Sequence, residues 1–169
     1  KKYYYSSLLN SLYVAFIPTI ICTAIGVPLA DLMTRYNIAA KKVLHVLIIM
    51  SLLSPPFIGA YSWIVLFGRS GFITKLVQNW FGWTLPSIYG KTGIMAVFTL
   101  KLYPYVYLYV SGALSSIDSS LEEAGENLGS SKLRRILTVS LPVVMPSIVA
   151  GALMVFMTAL GDFGNPQLL

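Results

Sequence analysis

Ser119-Ser120-Leu121-Glu122-Glu123-Ala124-Gly125-Glu126-Asn127-Leu128-Gly129, followed by a basic cluster at Lys132, Arg134 and Arg135 and then by Val139-Ser140-Leu141-Pro142, is the one long, doubly charged stretch of this chain. Asp118, Ser119 and Ser120 can each cap a helix, and Ser119 with Glu122, or Ser120 with Glu123, has the spacing of a capping box. Glu122, Glu123 and Glu126 place negative charge in the first turns, where the helix dipole favours it, and Gly129 is the natural stop. Leu121, Ala124, Gly125 and Leu128 form a narrow apolar side whose small residues leave room for another surface to come close. A second short helix carries the basic cluster. On these grounds the stretch is a helix-turn-helix clipped between two hydrophobic runs, equally able to contact a partner or to serve as an amphipathic linker.

The flanking runs decide the fold class. Of the 169 residues, 56% are hydrophobic and only 11% charged, and the mean hydropathy is +0.74; ordinary soluble domains are far more polar. Four stretches, at about 8–30, 43–67, 92–117 and 136–160, each exceed the ~20 residues a helix needs to cross the hydrocarbon core. The alternation of barrel strands is absent, and spanning backbone must satisfy its own hydrogen bonds, so the spans are predicted to be helices and the protein an all-α polytopic membrane bundle. One cysteine, Cys22, and one histidine, His45, exclude an internal disulfide and a Cys/His metal site, so no metal and no cofactor are expected. The net charge of +6 sits largely in the links between spans, where basic residues orient a membrane protein rather than bind nucleic acid.

Lys1-Lys2-Tyr3-Tyr4-Tyr5 places basic and aromatic residues as membrane-interface anchors, and the first span, which holds Pro18, Gly26 and Pro28, is expected to be bent. The short link 31–42 forces the first two spans into a hairpin. Ser54-Pro55-Pro56 should kink the second span near its middle, as plain packing or as a hinge. In the less apolar segment that follows, Ile73, Leu76, Val77, Trp80 and Phe81 recur at helical spacing and predict a short amphipathic helix lying along the membrane surface. The links 31–42 and 115–135 share one side and hold six Lys or Arg; the other side holds five, or three without the terminal Lys1 and Lys2. That asymmetry places the 119–135 stretch in the cytoplasm.

The third span contains Lys101. Ten residues past Lys91 it lies about 15 Å into the membrane, where a charge costs ~2.5–3.5 kcal/mol and something must compensate it. Lys101, Tyr105 and Tyr109 share one helix face and Tyr103 and Tyr107 another, which fits a polar, aromatic wall of a solute path. Snorkelling of Lys101, with the tyrosines simply packed between helices, is the other reading. Past the fourth span, Gly161-Asp162-Phe163-Gly164-Asn165-Pro166 forms a turn-rich exit on the side opposite the charged stretch.

The order Glu123-Ala124-Gly125, three residues, Gly129, nine residues, Val139, one residue, Leu141-Pro142 resembles the EAA signature of permease subunits of binding-protein-dependent ABC importers. Gly125 stands for the second alanine of that signature and Val139 for its isoleucine, both small changes. The resemblance implies a type I importer permease in the bacterial plasma membrane, multi-pass and without catalysis of its own. Its partners would be ABC ATPase subunits, an extracytoplasmic solute-binding protein and a second permease half, identical or homologous, within the lipid. Region 118–135 would be the coupling helix region. Glu123 would contact the ATPase, Ala124 and Gly125 would pack closely against it, Gly129 would form the turn, and Leu141-Pro142 would pass motion into the fourth span.

Family members carry a further span after the fourth, so residues 1–169 are expected to be a truncated permease domain. Leu102-Tyr103-Pro104-Tyr105-Val106-Tyr107 and the 160–166 exit look most similar to ferric-iron and phosphonate permeases. The expected solute path is the face of Lys101, Tyr105 and Tyr109, and the expected external gate or binding-protein contact is Asp162 and Asn165; the resemblance implies ferric iron or a phosphonate-like anion as solute. The rival from another class is a membrane scaffold that docks a soluble factor through its charged helix. An intramembrane enzyme would need a Ser/His, paired-Asp or metal-ligand cluster inside the spans, which the sequence lacks.

Overall fold

The computed structural model describes residues 2–36, 38–53, 56–83, 88–117, 129–162 and 164–168. The protein is all-α. Helices α1 (Lys2–Arg35), α2 (Lys41–Leu52), α3 (Pro56–Phe67), α4 (Phe72–Phe81) and α5 (Lys91–Ser115) are followed by the single turn α6 (Lys132–Arg135) and a π-helical turn, Ile136–Ser140. That turn runs directly into α7 (Leu141–Gly161), and a short α8 (Gly164–Leu168) closes the described chain. Among the described residues three helical segments, Tyr4–Arg35, Lys91–Ser115 and Ile136–Gly161, are long and apolar enough to cross a membrane.

The run 43–67, expected to be one kinked span, is two helices. α2 ends at Leu52 and α3 begins at Pro56, each with 12 residues; at ~1.5 Å per residue either is about 18 Å long, well short of a ~30 Å hydrocarbon core. The cause lies in Pro55-Pro56, which withdraw two backbone donors and disfavour helical geometry in the residue before them. Ser54 and Pro55 themselves lie outside the described residues.

α1, α5 and α7 pack against one another and form the core, with α2 laid on α5 and α3 on α4 and α8. Val106 of α5 is the central residue, 0% exposed, and both neighbours approach it through glycine. A Cβ on Gly26 of α1 would fall 2.8 Å from Val106 Cβ, and one on Gly151 of α7 would fall 3.0 Å from Val106 Cα. Small residues at the crossings let the backbones close in, as membrane helices require when lipid supplies no hydrophobic drive between them. Around that point Ala15 and Cys22 of α1, Phe98 and Leu102 of α5 and Val155 of α7 are buried.

Four prolines lie inside these helices, Pro18 and Pro28 in α1, Pro104 in α5 and Pro146 in α7. Each withholds an N–H from the carbonyl four residues earlier. Hydroxyls supply extra donors along the same ladders: Thr19 Oγ1 donates to Ala15 O and Thr23 Oγ1 to Thr19 O, both at 2.8 Å. Across the α1–α5 seam Cys22 Sγ lies 3.4 Å from Thr99 O, so the lone cysteine acts as a small packed donor.

α4 spans Phe72–Phe81, the segment for which helical spacing predicts an amphipathic helix. Ile73, Leu76 and Val77 are half-buried while Phe72, Trp80, Phe81 and the following Trp83 are exposed. An aromatic fringe of this kind suits the headgroup layer of a membrane.

Candidate functional site

The charged stretch enters the described structure at Gly129. Glu123, Ala124 and Gly125, like the whole of 118–128, lie outside the described residues. Gly129 has φ +73°, a left-handed conformation that glycine adopts without strain and that suits the C-terminal stop of a helix. Beyond it Arg135 folds back, its Nη1 donating to Ser130 O at 3.0 Å and its backbone N–H to Ser131 O at 3.0 Å.

Leu141 and Pro142 follow the π-helical turn. Leu141 N–H donates to Ile136 O, an i to i−5 bond that widens the helix by one residue. Pro142 gives a local reason for the widening, since it has no N–H to offer and its ring would press on the carbonyl of Thr138 in a regular α-turn. Ser140, in this turn, is 2% exposed and accepts a 2.8 Å hydrogen bond from Arg35 Nη2 at the far end of α1. Arg35 also holds Asp31, one turn earlier on the same helix, through its Nε. α1 therefore ends and α7 begins at the same end of the bundle, joined by a guanidinium.

At the other end stands Lys101. Helical side chains lean toward the N-terminus of their own helix, so Lys101 points toward the end where α5 begins and α7 finishes. There its Nζ lies 3.9 Å from Asp162 Oδ2, with side-chain exposures of 14% and 9%. A low-exposure lysine is thus compensated by a carboxylate rather than left to reach water alone. Tyr105 and Tyr109, on the Lys101 face, are half-buried and exposed respectively, and Tyr109 Cβ lies near the α7 backbone at Gly151. That face of α5 therefore turns toward α7. Asn165 lies on α8, its side chain outside the described set.

The opposite face of α5 carries Tyr107, 1% exposed. Its hydroxyl lies 2.7 Å from His45 Nδ1 of α2, and donation from the buried O–H to that nitrogen would satisfy both groups. Beside the pair an open cleft of about 450 Å³ is lined by Thr34 of α1, Lys41 and His45 of α2, and Tyr107, Ser111 and Ser115 of α5. Neither His45–Tyr107 nor Arg35–Ser140 is marked by a local motif. A lone histidine at the head of an apolar run, and an arginine one turn after an aspartate, were the available signals.

A helical bundle with three membrane-length spans among the described residues, closely crossing through glycine and tied at one end by the Arg35–Ser140 hydrogen bond and at the other by the Lys101–Asp162 pair, defines a polytopic membrane protein. The comparisons narrow the class: residues 12–168 match the family described as binding-protein-dependent transport system inner membrane component, and the chain belongs to that family. It is an inner-membrane transport component, and family members are permease subunits that are not themselves catalytic.

The chain is 29% identical to the ferric transport system permease protein FbpB of Actinobacillus pleuropneumoniae over 95% of its own length and 23% of that relative. It is 31% identical to the molybdenum transport system permease protein ModB of Haemophilus influenzae, covering 94% of this chain and 69% of the relative. It is also 31% identical to the spermidine/putrescine transport system permease protein PotB of the same organism, over 95% of this chain and 57% of the relative. The chain spans about a quarter of the length of the FbpB relatives it matches.

Proposed function

We propose that the protein is a pore-forming permease subunit of an ATP-driven importer. It moves a solute delivered by an extracytoplasmic binding protein and is driven by separate ATPase subunits that dock on the 119–142 stretch. The observation that carries this reading is the family match over 12–168, which contains the whole of that stretch. Glu123 then serves as the polar contact to the ATPase, Ala124 and Gly125 as the close-packing face, Gly129 as the turn, and Leu141-Pro142 as the junction into α7. The end of the bundle that holds Arg35 and Ser140 faces the cytoplasm. Asp162 and Asn165 lie toward the binding protein, and a second permease half, identical or homologous, completes the pore. A scaffold role for the charged helix has no comparable support.

For the solute we propose ferric iron, supported by the likeness to the ferric transport permeases. A phosphonate-like anion would draw on Lys101, but Lys101 paired with Asp162 carries no net charge toward a solute. The cation is offered only when the pair opens.

Two measurements test these readings. Replacing Glu123 and Gly129 together by tryptophan should abolish permease-stimulated ATP hydrolysis in the assembled transporter while membrane insertion persists; unaltered stimulation would remove the coupling role. Cells carrying the complete system should accumulate radiolabelled ferric iron in preference to labelled phosphonate, and the reverse preference would select the anion.

A further inference from the structure

We propose that Arg35 is a positioning residue that fastens the π-helical turn to α1, so that the end of α1 and the start of α7 move as one lever when the preceding charged stretch is displaced. The inference rests on the coupling role proposed for 119–142 and adds a second helix to the path of motion.

Three observations point the same way. The first is the turn itself: Ile136–Ser140 is π-helical and lies directly between the basic cluster and Leu141-Pro142. Such widened turns are rare and concentrate at functional positions, because the extra residue makes the helix locally deformable. The second is the shape of the tie. The Asp31 carboxylate takes Arg35 Nε and fixes the guanidinium plane, which aims Nη2 at Ser140 Oγ, 2.8 Å away. A planar fork held by one partner loses little further freedom on binding the second. Ser140 is buried, whereas Leu137 and Thr138 of the same turn are exposed, so the residue that faces inward is the one Arg35 grips.

The third is what lies beneath. A cleft of about 190 Å³ opens there, lined by Pro28 and Asp31 of α1, Val110 and Leu114 of α5, and Ile136 and Val144. Close packing does not fill the space under the turn, so side-chain interlock contributes less there than at Gly26–Val106–Gly151, and a polar tie sets how the turn follows α1.

The test uses the assembled transporter in nanodiscs, spin-labelled at Tyr36→Cys and Leu137→Cys, both exposed positions at 45% and 54%. The interlabel distance is measured without nucleotide and with a non-hydrolysable ATP analogue. With the tie intact the two states should agree within about 1–2 Å, the size of ordinary helix adjustments, whereas Arg35→Met and Ser140→Val should shift or broaden the distance by about a helical turn, ~5 Å. Ser140→Thr, the same shape as Ser140→Val but with a hydroxyl, should restore the unsubstituted behaviour; the cleft beside Ser140 can take the added methyl. Equal behaviour of the Thr and Val variants, an unchanged distance in Arg35→Met, or a full-turn change with the tie intact would each overturn the proposal. Failure of the coupling role itself reads out elsewhere, as permease-stimulated hydrolysis that survives the Glu123 and Gly129 substitutions.

Discussion

At each end of the α1–α5–α7 core a cation is held by a carboxylate, and the two pairs are built differently. Asp31 and Arg35 sit four residues apart on one helix, so their pairing is local and available as soon as α1 forms, and the same guanidinium also grips Ser140 in the π-helical turn that leads into α7. Lys101 and Asp162 belong to α5 and to the residue just past α7, so they meet only once those helices have packed. One pair is a preassembled clamp and the other is a closure. A local pair can persist through a helix movement, whereas a pair between elements must break if the elements part. Under the proposed transport role, the end that receives force should carry the first kind, and the end that opens to admit a solute should carry the second.

The sharpest way to break this contrast is Asp162→Asn. It leaves Lys101 near the membrane interior without its counter-ion, and breaking a low-exposure pair from one side costs on the order of 3 kcal/mol. Equilibrium unfolding in mixed SDS–detergent micelles should show that loss. Adding Lys101→Met to the same chain should recover most of it, because the unpaired charge then disappears. If Asp162→Asn alone is as stable as the parent, the ion pair contributes nothing to closure and the two ends do not differ as described.

Next in size is the seam between the ends. A side chain at Gly26 would meet Val106 Cβ at 2.8 Å, and Val106 is stiff and fully buried. Gly26→Leu should therefore cost about 1–3 kcal/mol by overpacking, visible as a lower melting midpoint in detergent. It should also weaken the Lys101–Asp162 closure more than the Asp31–Arg35 clamp, since only the former depends on how α5 meets its neighbours.

A smaller effect is expected at Tyr107→Phe. The substitution removes a buried hydroxyl and leaves His45 Nδ1 without that partner, at a cost of about 1–2 kcal/mol. Hydrogen exchange should show α2 loosening from α5 while α1 and α7 keep their protection. Loss of protection spread evenly over all four helices would mean that α2 belongs to the same cooperative core.

Much of this was legible in the chain, for reasons that can be named. The runs around Cys22, Val106 and Gly151 are long, apolar and uncharged save for Lys101, and only helices can carry such runs across a bilayer. The need of Lys101 for compensation followed from insertion cost alone. Its partner did not, because nothing in sequence pairs residue 101 with residue 162, and a turn-rich exit reads the same whether its aspartate faces water or a lysine. Ser140 reads as a small polar member of a spacing motif, and its grip by Arg35 depends on where α1 ends relative to the π-helical turn. The division of 43–67 was legible only as a kink at Pro55-Pro56, since hydropathy cannot tell one bent span from two short helices.

The least expected effect supplies the control for the whole comparison. Lys91 Nζ donates to Asn10 Oδ1 at 2.7 Å, an exposed contact that joins α5 to α1 at the same end of the bundle as Lys101. By distance alone it outranks the 3.9 Å Lys101–Asp162 pair. Water at the membrane surface can replace either partner, however, and exposed polar contacts of this kind contribute only about 0–1 kcal/mol. Asn10→Ala should accordingly lower stability by no more than about 0.5 kcal/mol, measured in the same SDS titration as Asp162→Asn. A loss as large as that of Asp162→Asn would mean that any polar link between α5 and its neighbours matters at this end, and burial would no longer explain why the chain places a lysine so deep.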